Sequence, residues 1–259
     1  MTIDSTAEDA VRALVLTATE AAFGQRDVTA VDRYFAPNYT EHGQEAEDGT
    51  AGLRAFITSL PDDFRYEQVR ILVDGELVVT HGLYHGFDTV PLVAFDVWRV
   101  SGGKICEHWD ALTRLVERSE SGHGQIDGQR HVTVPNATAS SRAVVTRFAE
   151  DVLVGADHSR LANYVSEQSF GHHNPDGADG LAGFESVFAR WAEAGKNPAY
   201  HKIHQVIAEG EFVFTRAEGV LDGPVVFNDL WRVADKMIVE HWGVVEPVKD
   251  EMAHNNGVF

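Results

Sequence analysis

The sequence predicts an α+β protein made of two copies of one domain. The stretch FDVWRVSGGKICEHWD begins at Phe95, and the similar stretch NDLWRVADKMIVEHWG begins at Asn228. Both keep Asp, Trp, Arg, Glu and His at the same spacing. In each copy, apolar residues at helical spacing come first, and β-branched and aromatic residues follow. A repeat of this length is a whole domain, and helices followed by strands are typical of an α+β layout.

In the first copy, apolar residues recur every three or four positions from Val11 to Ala22, which predicts a helix. A short helix is expected over 28–35, and a third begins near Ala51. From Tyr66 the residues are those that strands prefer. The sequences VDGE at 73–76 and SGGK at 101–104 are typical of hairpin turns, so the strands are expected to be antiparallel.

The second copy repeats this order. Helices are expected from about Ser140, near 159–164 and from Leu181, with strands from Tyr200. Residues 119–136 are rich in Gly, Ser and Asn, which predicts a linker. The predicted domains are therefore residues 1–118 and 137–259.

The charge of the chain limits its partners. Its 259 residues include 21 basic and 40 acidic ones, for a formal net charge of −19. This argues against nucleic acid and anionic membranes, and it favours a small neutral, apolar or cationic ligand. No stretch is long and apolar enough to span a membrane. Cys106 is the only cysteine, so no internal disulfide can form and a reducing cytoplasm is expected.

The repeated strand pair carries the first candidate site. Alternate residues of a strand share a face, so Asp96 and Trp98 point the same way. A two-residue loop would mix the faces of the two strands, whereas a three-residue loop places opposite charges together. The three-residue loop is therefore predicted, with the pairs Arg99–Glu107, Trp98–His108 and Asp96–Asp110, and Arg232–Glu240 in the second copy.

An acidic residue among Phe, Val, Leu and Trp indicates a desolvated carboxyl, whose pKa is expected to rise into a range suited to proton transfer. The candidate catalytic residues on this face are Asp96, His108, Asp110, Asp229 and His241. Trp98 and Trp231 are expected to form the walls of two cavities. The alternative is structural, because a strand Asp is often a solvated edge residue and a Trp–His pair is often only packing.

A second candidate set lies at the expected pocket mouths. His42 and His173 each precede a Gly-containing loop, and each is a candidate acid, base or hydrogen bonder or simply a loop cap. Four further residues are candidate pocket residues, namely Asn174, His81, Tyr84 and His85. No HExxH motif, paired ligand spacing or Gly-rich phosphate loop is present, so neither a metal nor a cofactor is predicted.

The segment HHNPDGADGLAGF from His172, followed by strands and by FNDLWRVADKMIVEHW, resembles the SnoaL-like branch of the nuclear transport factor 2-like superfamily. The whole chain is similar to its two-domain members, although Gly43 and Gln44 replace the Asn–Pro pair in the first copy. The resemblance implies two cone-shaped domains, each a strongly bent antiparallel sheet wrapped around about three helices. It also implies that the halves pack as an internal pseudo-dimer and can form homo-oligomers.

The resemblance implies chemistry without a cofactor. SnoaL-like polyketide cyclases close a ring by an aldol step, with an acid/base Asp at the place of Asp96 and Asp229. Ketosteroid isomerase shares the fold and has a proton-donating Asp there, with its general base near His42 and His173. An acid/base enzyme of cyclase, isomerase or lyase type, acting on a small, largely apolar carbonyl compound, is therefore favoured.

Two alternatives stay open at this point. The pocket can hold a small molecule without turnover, as a binding or accessory module. It can also open epoxides, as fused tandem domains of this fold do with paired carboxylates in each half. The first copy offers Glu41 for such a pair, but His172 stands at the corresponding place in the second.

Overall fold

The structure is a computed structural model that describes residues 5–196 and 198–259. The chain divides into two compact units. Unit 1 runs from the N-terminal helix to Arg114 and takes in Lys249–Phe259, and unit 2 comprises Leu115–Val248. Among the described residues, no helix is long and apolar enough to cross a membrane.

Unit 1 places three α-helices before and between its strands. Its elements are α1 (Ser5–Thr19), a π-helical turn (Glu20–Gly24), α2 (Ala30–Tyr34), β1 (Phe35–Glu41), α3 (Gly49–Ser59), β2 (Arg65–Asp74), β3 (Leu77–His85), β4 (Leu92–Ser101) and β5 (Lys104–Arg114). Val15, Ala18 and Ala22 are buried against Val78 and Trp98 of the sheet. The helical spacing of these residues therefore gives α1 the apolar face that covers the sheet.

Unit 2 repeats this order, with a 3₁₀ turn in the place of α2. Its elements are a 3₁₀ turn (Pro135–Ala137), α4 (Thr138–Phe148), a π-helical turn (Ala149–Val154), a second 3₁₀ turn (His158–Asn163), β6 (Gly171–His172), α5 (Gly180–Glu193), β7 (Ala199–Glu209), β8 (Phe212–Val220), β9 (Pro224–Ala234) and β10 (Met237–Pro247). Phe148, Phe184 and Trp231 lie in one buried core with Phe227.

The two sheets have the same topology, which confirms that the chain contains two copies of one α+β fold. Their strand orders are β1-β5-β4-β3-β2 and β6-β10-β9-β8-β7, and neither closes into a barrel. The sheets are mixed: β2–β5 and β7–β10 are antiparallel as predicted, whereas the edge strands β1 and β6 pair in parallel with β5 and β10. Pro37 and Asn38 give β1 the composition of an edge strand, which hid it in the sequence.

The register predicted for the repeated hairpins is confirmed, but the predicted three-residue loop is wrong. Ser101 pairs with Lys104 across a two-residue turn, and a bulge at Cys106 then restores the pairing of Arg99 with Glu107. The turn residues have positive φ angles, which glycine adopts without strain. The bulge supplies the third residue that the prediction had assigned to the loop. Unit 2 repeats this arrangement with a bulge at Val239.

The units differ in their limits from the predicted domains 1–118 and 137–259. The predicted linker 119–136 lies in unit 2, where the hydroxyl of Ser121 donates a 2.6 Å hydrogen bond to the carbonyl oxygen of His172. The C-terminal segment lies in unit 1, where the side-chain amide of Asn256 donates a 2.8 Å hydrogen bond to the carbonyl oxygen of Glu41. The packing of the two units as a pseudo-dimer stays a prediction.

Candidate functional site

Unit 1 contains a cavity of about 340 Å³ between α1, its π-helical turn and one face of the sheet. The lining residues are Leu16, Thr19, Glu20, Phe23, Gly24, Tyr66, Gln68, Thr80, Tyr84, Asp96 and Trp98. Leu16 and Glu20 are exposed and mark the mouth, whereas Asp96 and Trp98 are buried at the bottom. A cavity of this size is at the small end of the range for ligand pockets.

Asp96 is 1% exposed and is held by donors from two strands. The hydroxyl of Tyr84 donates a 2.7 Å hydrogen bond to Oδ1, and the hydroxyl of Thr80 lies 3.3 Å from Oδ2. His108 Nε2 lies 3.4 Å from Oδ1. Burial and the Asp96 carboxylate raise the pKa of Tyr84 well above its usual value, so the phenol stays protonated and keeps donating.

Glu41 lies on the other side of His108. Its Oε1 is 2.8 Å from His108 Nδ1, and its Oε2 accepts a 2.6 Å hydrogen bond from Tyr39. Burial alone lowers the pKa of His108, but the charge of Glu41 and the hydrogen bonds to Asp96 and Glu41 outweigh it and raise the pKa to about 10. His108 is therefore an imidazolium between two carboxyl groups at neutral pH.

Two aromatic residues of the cavity lining have buried polar atoms. The indole ring of Trp98 stacks on His108 with centroids 3.9 Å apart, and its Nε1 has no hydrogen-bond partner within residues 5–196 and 198–259. The buried hydroxyl of Tyr66 lies close to Thr80 and Asp96. Burial, and then the nearby Asp96 carboxyl, raise the pKa of Tyr66 well above its usual value.

Asp110 lies opposite Asp96 in the hairpin, as predicted. Donor atoms of Asp96, His108 and Asp110 lie within 4.8 Å of one another, which is close enough for a shared metal ion. Both ring nitrogens of His108 already face carboxyl groups, and an imidazolium has no lone pair for a metal. A metal would therefore have to displace a proton from this hydrogen-bonded chain.

In the corresponding site of unit 2, the histidine is neutral instead of charged. Asp229 Oδ1 lies 2.8 Å from His241 Nε2, and Tyr200 donates a 3.1 Å hydrogen bond to Oδ2. Burial raises the pKa of Asp229 to about 7, although the Tyr200 hydrogen bond opposes it. Burial also lowers the pKa of His241 and of the neighbouring His172 well below the usual value.

Aromatic residues of unit 2 pack around this site. Trp231 stacks on His241 with centroids 3.9 Å apart, and its Nε1 donates a 3.0 Å hydrogen bond to Thr215. Phe148 and Phe184 pack against the Trp231 ring at centroid distances of 5.0 and 6.2 Å. The predicted residues Asp229, Trp231 and His241 thus lie together, within the hydrophobic core.

Asn174 and Asp229 both lie next to Gly243. A Cβ atom on Gly243 would lie 2.6 Å from the Asn174 amide nitrogen and 2.9 Å from Asp229 Oδ1. In unit 1, a Cβ atom on Gly43 would lie 2.8 Å from Asp110 Oδ1. Each unit therefore has one polar side chain and one glycine at this place, but at opposite positions. Unit 1 has Gly43 and Asp110 where unit 2 has Asn174 and Gly243.

The structure does not bring His42 and His173 to the Asp–Trp–His faces. His42 lies on the other face of the sheet, where Nε2 is 3.0 Å from Glu107 and Nδ1 is 2.9 Å from the carbonyl oxygen of Gly257. Its ring stacks on Trp109 at 4.9 Å. His173 likewise stacks on Trp242, with Glu240 and the Gly124 carbonyl oxygen as partners. These contacts indicate a structural role for both residues.

His81 and His85 also lie away from the cavity. His81 pairs with Phe95 across the strands and stacks on its ring at 4.2 Å, with Nδ1 3.1 Å from Arg70. His85 Nδ1 lies 3.2 Å from Arg65. His81 and His85 lie on one face of β3, and Tyr84 lies on the opposite face, where it contacts Asp96.

Sequence reasoning missed several residues of the site. Glu41 was weighed only as half of a carboxylate pair, and Thr80, Tyr66 and Tyr200 were not considered. A signal was present, because Tyr66 and Tyr200 begin the matching stretches YEQVRILV and YHKIHQVI. Glu20 and Phe23 could not be found in this way, since they reach the cavity from the π-helical turn of unit 1.

Comparison with known proteins relates unit 1 to one family. Residues 16–108 match the family model described as a SnoaL-like domain. No curated protein matches the chain. Among solved structures, it is similar to TsrD from Streptomyces laurentii, with 21% identity over 42% of this chain and 90% of that one (TM-score 0.36).

Two further structures show the same level of similarity. A candidate polyketide cyclase from Acidithiobacillus ferrooxidans is 20% identical over 44% of this chain and 92% of its own (TM-score 0.37). A candidate ketosteroid isomerase from Kribbella flavida is 19% identical over 48% and 94%, respectively (TM-score 0.40). The family match and the fold described above agree, and residues 16–108 form a SnoaL-like domain.

Proposed function

We propose that unit 1 is a cofactor-free acid/base enzyme for a small, largely apolar carbonyl compound, of the aldol cyclase or isomerase type. The observation that carries this proposal is the position of Asp96. Its carboxyl group lies at the bottom of a cavity and is held there by Tyr84 and His108. Phe23, Leu16 and Trp98 give the cavity its apolar walls.

In the proposed reaction, Asp96 acts as the general base. It takes a proton from the carbon next to the carbonyl group, so that the C–H bond breaks and an O–H bond forms on Asp96. The electron pair of the C–H bond moves into the substrate, which becomes an enolate. In an aldol closure, the enolate carbon bonds to a second carbonyl carbon and the new alkoxide recovers the proton from Asp96. In an isomerisation, the proton returns to a different carbon.

Glu41 and His108 have a positioning role in this proposal. The His108 imidazolium lies behind Asp96 and holds the carboxyl orientation that Tyr84 also supports. Glu41 balances the positive charge of His108. A buried charge is costly unless it is paired, so this ion pair keeps a fixed positive charge beside the reacting group.

Unit 2 is proposed to have a supporting role. The equivalent carboxyl, Asp229, is bonded to Tyr200 and His241, and Trp231 is bonded to Thr215. The aromatic rings of Phe148 and Phe184 pack against this group. These internal contacts favour chemistry in unit 1.

The proposal can be tested with 2-tetralone, a small two-ring ketone with acidic C–H bonds next to its carbonyl group. Exchange of these protons for deuterium in D₂O is followed by NMR, with and without protein. Asp96→Asn is expected to lower the protein-dependent exchange rate by about 10²- to 10⁴-fold, the usual contribution of a general base. Asp229→Asn is the matched control and is expected to leave the rate within about twofold.

Other results would lead to other conclusions. A loss of about half of the rate in each variant would place chemistry in both units. Full exchange activity in Asp96→Asn would exclude Asp96 as the base. If wild-type protein binds 2-tetralone without exchanging its protons, unit 1 is a binding module for such compounds instead of an enzyme.

A further inference from the structure

The charged side chains that line the unit 1 cavity are all acidic. Asp96 is buried at the bottom, and Glu20 is exposed at the mouth. Within the described part of the chain, no Lys, Arg or His belongs to the lining. Leu16, Phe23 and Trp98 supply apolar and aromatic walls between the two carboxyl groups. The cavity therefore offers no positive charge to an anionic ligand group.

The charges behind the cavity wall do not neutralise this lining. The His108 imidazolium contacts Asp96 through one nitrogen and Glu41 through the other. Burial raises the pKa of Glu41, but the charge of His108 and the hydrogen bonds outweigh it and lower that pKa, so Glu41 is ionised at neutral pH. With Asp96 ionised as the base, the carboxylates of Glu20, Glu41 and Asp96 face a single imidazolium. A cleft with such an excess of one sign concentrates ligands of the opposite charge.

The carboxylate of Glu20 has a defined place at the mouth. It lies against Gly24 in the same π-helical turn, and both residues line the cavity. A Cβ atom on Gly24 would lie only 2.6 Å from Glu20 Oε2, so glycine leaves the room for this placement. The equivalent residues in the π-helical turn of unit 2 are Glu150 and Val154. The same placement of the Glu150 carboxylate would clash with the Val154 side chain.

An ammonium group fits this arrangement. A carboxylate attracts it by charge and accepts its N–H bonds, and aromatic rings attract a cation through their electron-rich faces. Because solvent weakens an exposed ion pair, Glu20 contributes selectivity among ligands, and the apolar walls contribute the larger part of the affinity.

We propose that the substrate of unit 1 is an amino ketone whose ammonium group binds Glu20 at the cavity mouth. Its enolisable carbonyl end lies near Asp96 at the bottom, and an apolar body between the two groups contacts Phe23 and Trp98. This inference rests on the proposed function, because Asp96 acts on the carbonyl end. Glu20 binds and orients the substrate and takes no part in the proton transfer.

Three naphthalene probes of similar size separate the effect of charge from that of shape. At neutral pH, 2-(aminomethyl)naphthalene is a cation, 2-naphthalenemethanol is uncharged and 2-naphthoate is an anion. NMR titration of the protein measures their affinities. Wild-type protein is expected to bind the cation about three- to tenfold more tightly than the alcohol, and the anion more weakly than both. Raising the salt concentration from about 0.05 M to about 0.5 M should reduce the advantage of the cation.

Charge reversal at the mouth is the decisive variant. Glu20→Lys is expected to weaken binding of the cation by about fivefold or more, to strengthen binding of 2-naphthoate and to leave the alcohol within about twofold. Unchanged binding of the alcohol shows that the cavity is intact. Glu150→Lys, the matched control, makes the same change of net charge at the equivalent position of unit 2 and is expected to leave all three affinities unchanged.

Three results would overturn the inference. The first is a wild-type protein that does not prefer the cation over the alcohol. The second is an equal effect of Glu20→Lys and Glu150→Lys on the three probes. The third is loss of the preference in Asp96→Asn but not in Glu20→Lys, because the ammonium group would then bind at the bottom of the cavity.

These outcomes are separate from those of the proposed function, which is tested with the uncharged 2-tetralone. If exchange of 2-tetralone depends on Asp96 while the cation is not preferred, the enzyme proposal stands and its substrate carries no ammonium group. If Glu20 selects the cation while wild-type protein does not exchange 2-tetralone, the ammonium site stands and the enzyme proposal is wrong.

Discussion

Glu41 Oε1 lies 2.8 Å from His108 Nδ1, and this contact sets the protonation state of the site in unit 1. The two residues are partners in the parallel pairing of β1 and β5. In unit 2 the same pairing joins His172 to His241, whose rings lie 5.1 Å apart. The pKa of His108 is raised to about 10, whereas those of His172 and His241 are lowered. The difference between Glu41 and His172, together with that between Asp110 and Gly243, therefore favours a charged histidine in unit 1 and a neutral one in unit 2.

Exchanging these residues should exchange the behaviour of the two sites. In Glu41→His, we expect the pKa of His108 to fall from about 10, because only Asp96 and Asp110 are then left to oppose the effect of burial. In His172→Glu, we expect the pKa of His241 to rise, since its Nδ1 has no other partner in the structure described and faces the new carboxylate. NMR titration of the histidine rings between pH 5.5 and 10.5 measures both shifts.

The sign of the stability effect follows from the same shift. His108 has a folded-state pKa above its unfolded value, so its contribution to stability is fully present below about pH 6.5 and is lost as pH rises through about 10. Glu41→His should reduce this pH dependence, because the largest contribution to the raised pKa is lost. Glu107→Gln is the control, because Glu107 contacts His42 on the other face, and it should leave the His108 titration unchanged. An unchanged His108 pKa in Glu41→His would contradict the role given to Glu41.

The raised pKa of Asp229 predicts a second pH dependence of stability. Its sign is opposite to that of a carboxylate whose pKa is lowered by folding. Its folded-state pKa is raised to about 7, so the folded protein retains a proton that the unfolded chain releases. Its effect on stability is absent near pH 3.8, becomes more unfavourable as pH rises to about 7, and is constant above that. Asp229→Asn should therefore gain stability over wild type by about 1.4 kcal/mol per pH unit below pH 7.

Urea unfolding of both proteins from pH 5.5 to 8.5 measures this difference. The difference between variant and wild type should grow up to about pH 7 and then level off. Asp235→Asn, a substitution in the β9–β10 turn, should show no such trend. A difference that is the same at every pH would mean that Asp229 is ionised throughout.

The exchanged glycines predict an energetic coupling within unit 2. Gly243→Ala adds a methyl group only 2.6 Å from the Asn174 amide nitrogen, so the free energy of unfolding should fall by about 1–3 kcal/mol, as in other overpacked sites. Asn174→Gly removes the obstructing side chain, and the double variant should recover part of the loss. Additive effects of the two substitutions in a double-mutant cycle would show that they do not compete for this space.

Strand periodicity predicted the register of the site because its two faces have different chemistry. Arg99 and Glu107 are paired in the structure, with Nε and Oε2 2.6 Å apart, and that pairing requires Trp98 opposite His108. The loop length was wrong, yet the register was correct, because the bulge at Cys106 adds one residue. The local sequence thus specified which side chains meet, but not how the backbone achieves it.

The errors came from strands whose neighbours lie far away in sequence. Glu41 and His42 point to opposite faces of β1, and only the parallel pairing with β5 shows that Glu41 is the one that reaches His108. Sequence reasoning chose His42 because histidine titrates near neutral pH. Within β3, alternation alone could have separated Tyr84 from His81 and His85, because neighbouring residues cannot share a face.

Each unit contains a segment that the predicted domains do not assign to it: unit 1 includes Lys249–Phe259, and unit 2 begins at Leu115. One residue in each segment can be substituted to test its role. Asn256 donates to the carbonyl oxygen of Glu41 in unit 1, and Ser121 donates to the carbonyl oxygen of His172 in unit 2. Each segment also supplies a carbonyl oxygen to a buried histidine, Gly257 to His42 and Gly124 to His173. Each pairing therefore fixes the end of a parallel edge strand.

The backbone amides of His42 and His173, which directly follow β1 and β6, can be used to measure how firmly these strands are paired. The His42 N–H donates a 2.9 Å hydrogen bond to the carbonyl oxygen of His108, and the His173 N–H donates one of equal length to His241. Asn256→Ala should speed amide exchange at His42 by about fivefold, as expected for the loss of about 1 kcal/mol, and leave His173 unchanged. Ser121→Ala should do the reverse. If either substitution affects both amides equally, the two segments stabilise the whole chain and do not act on one unit each.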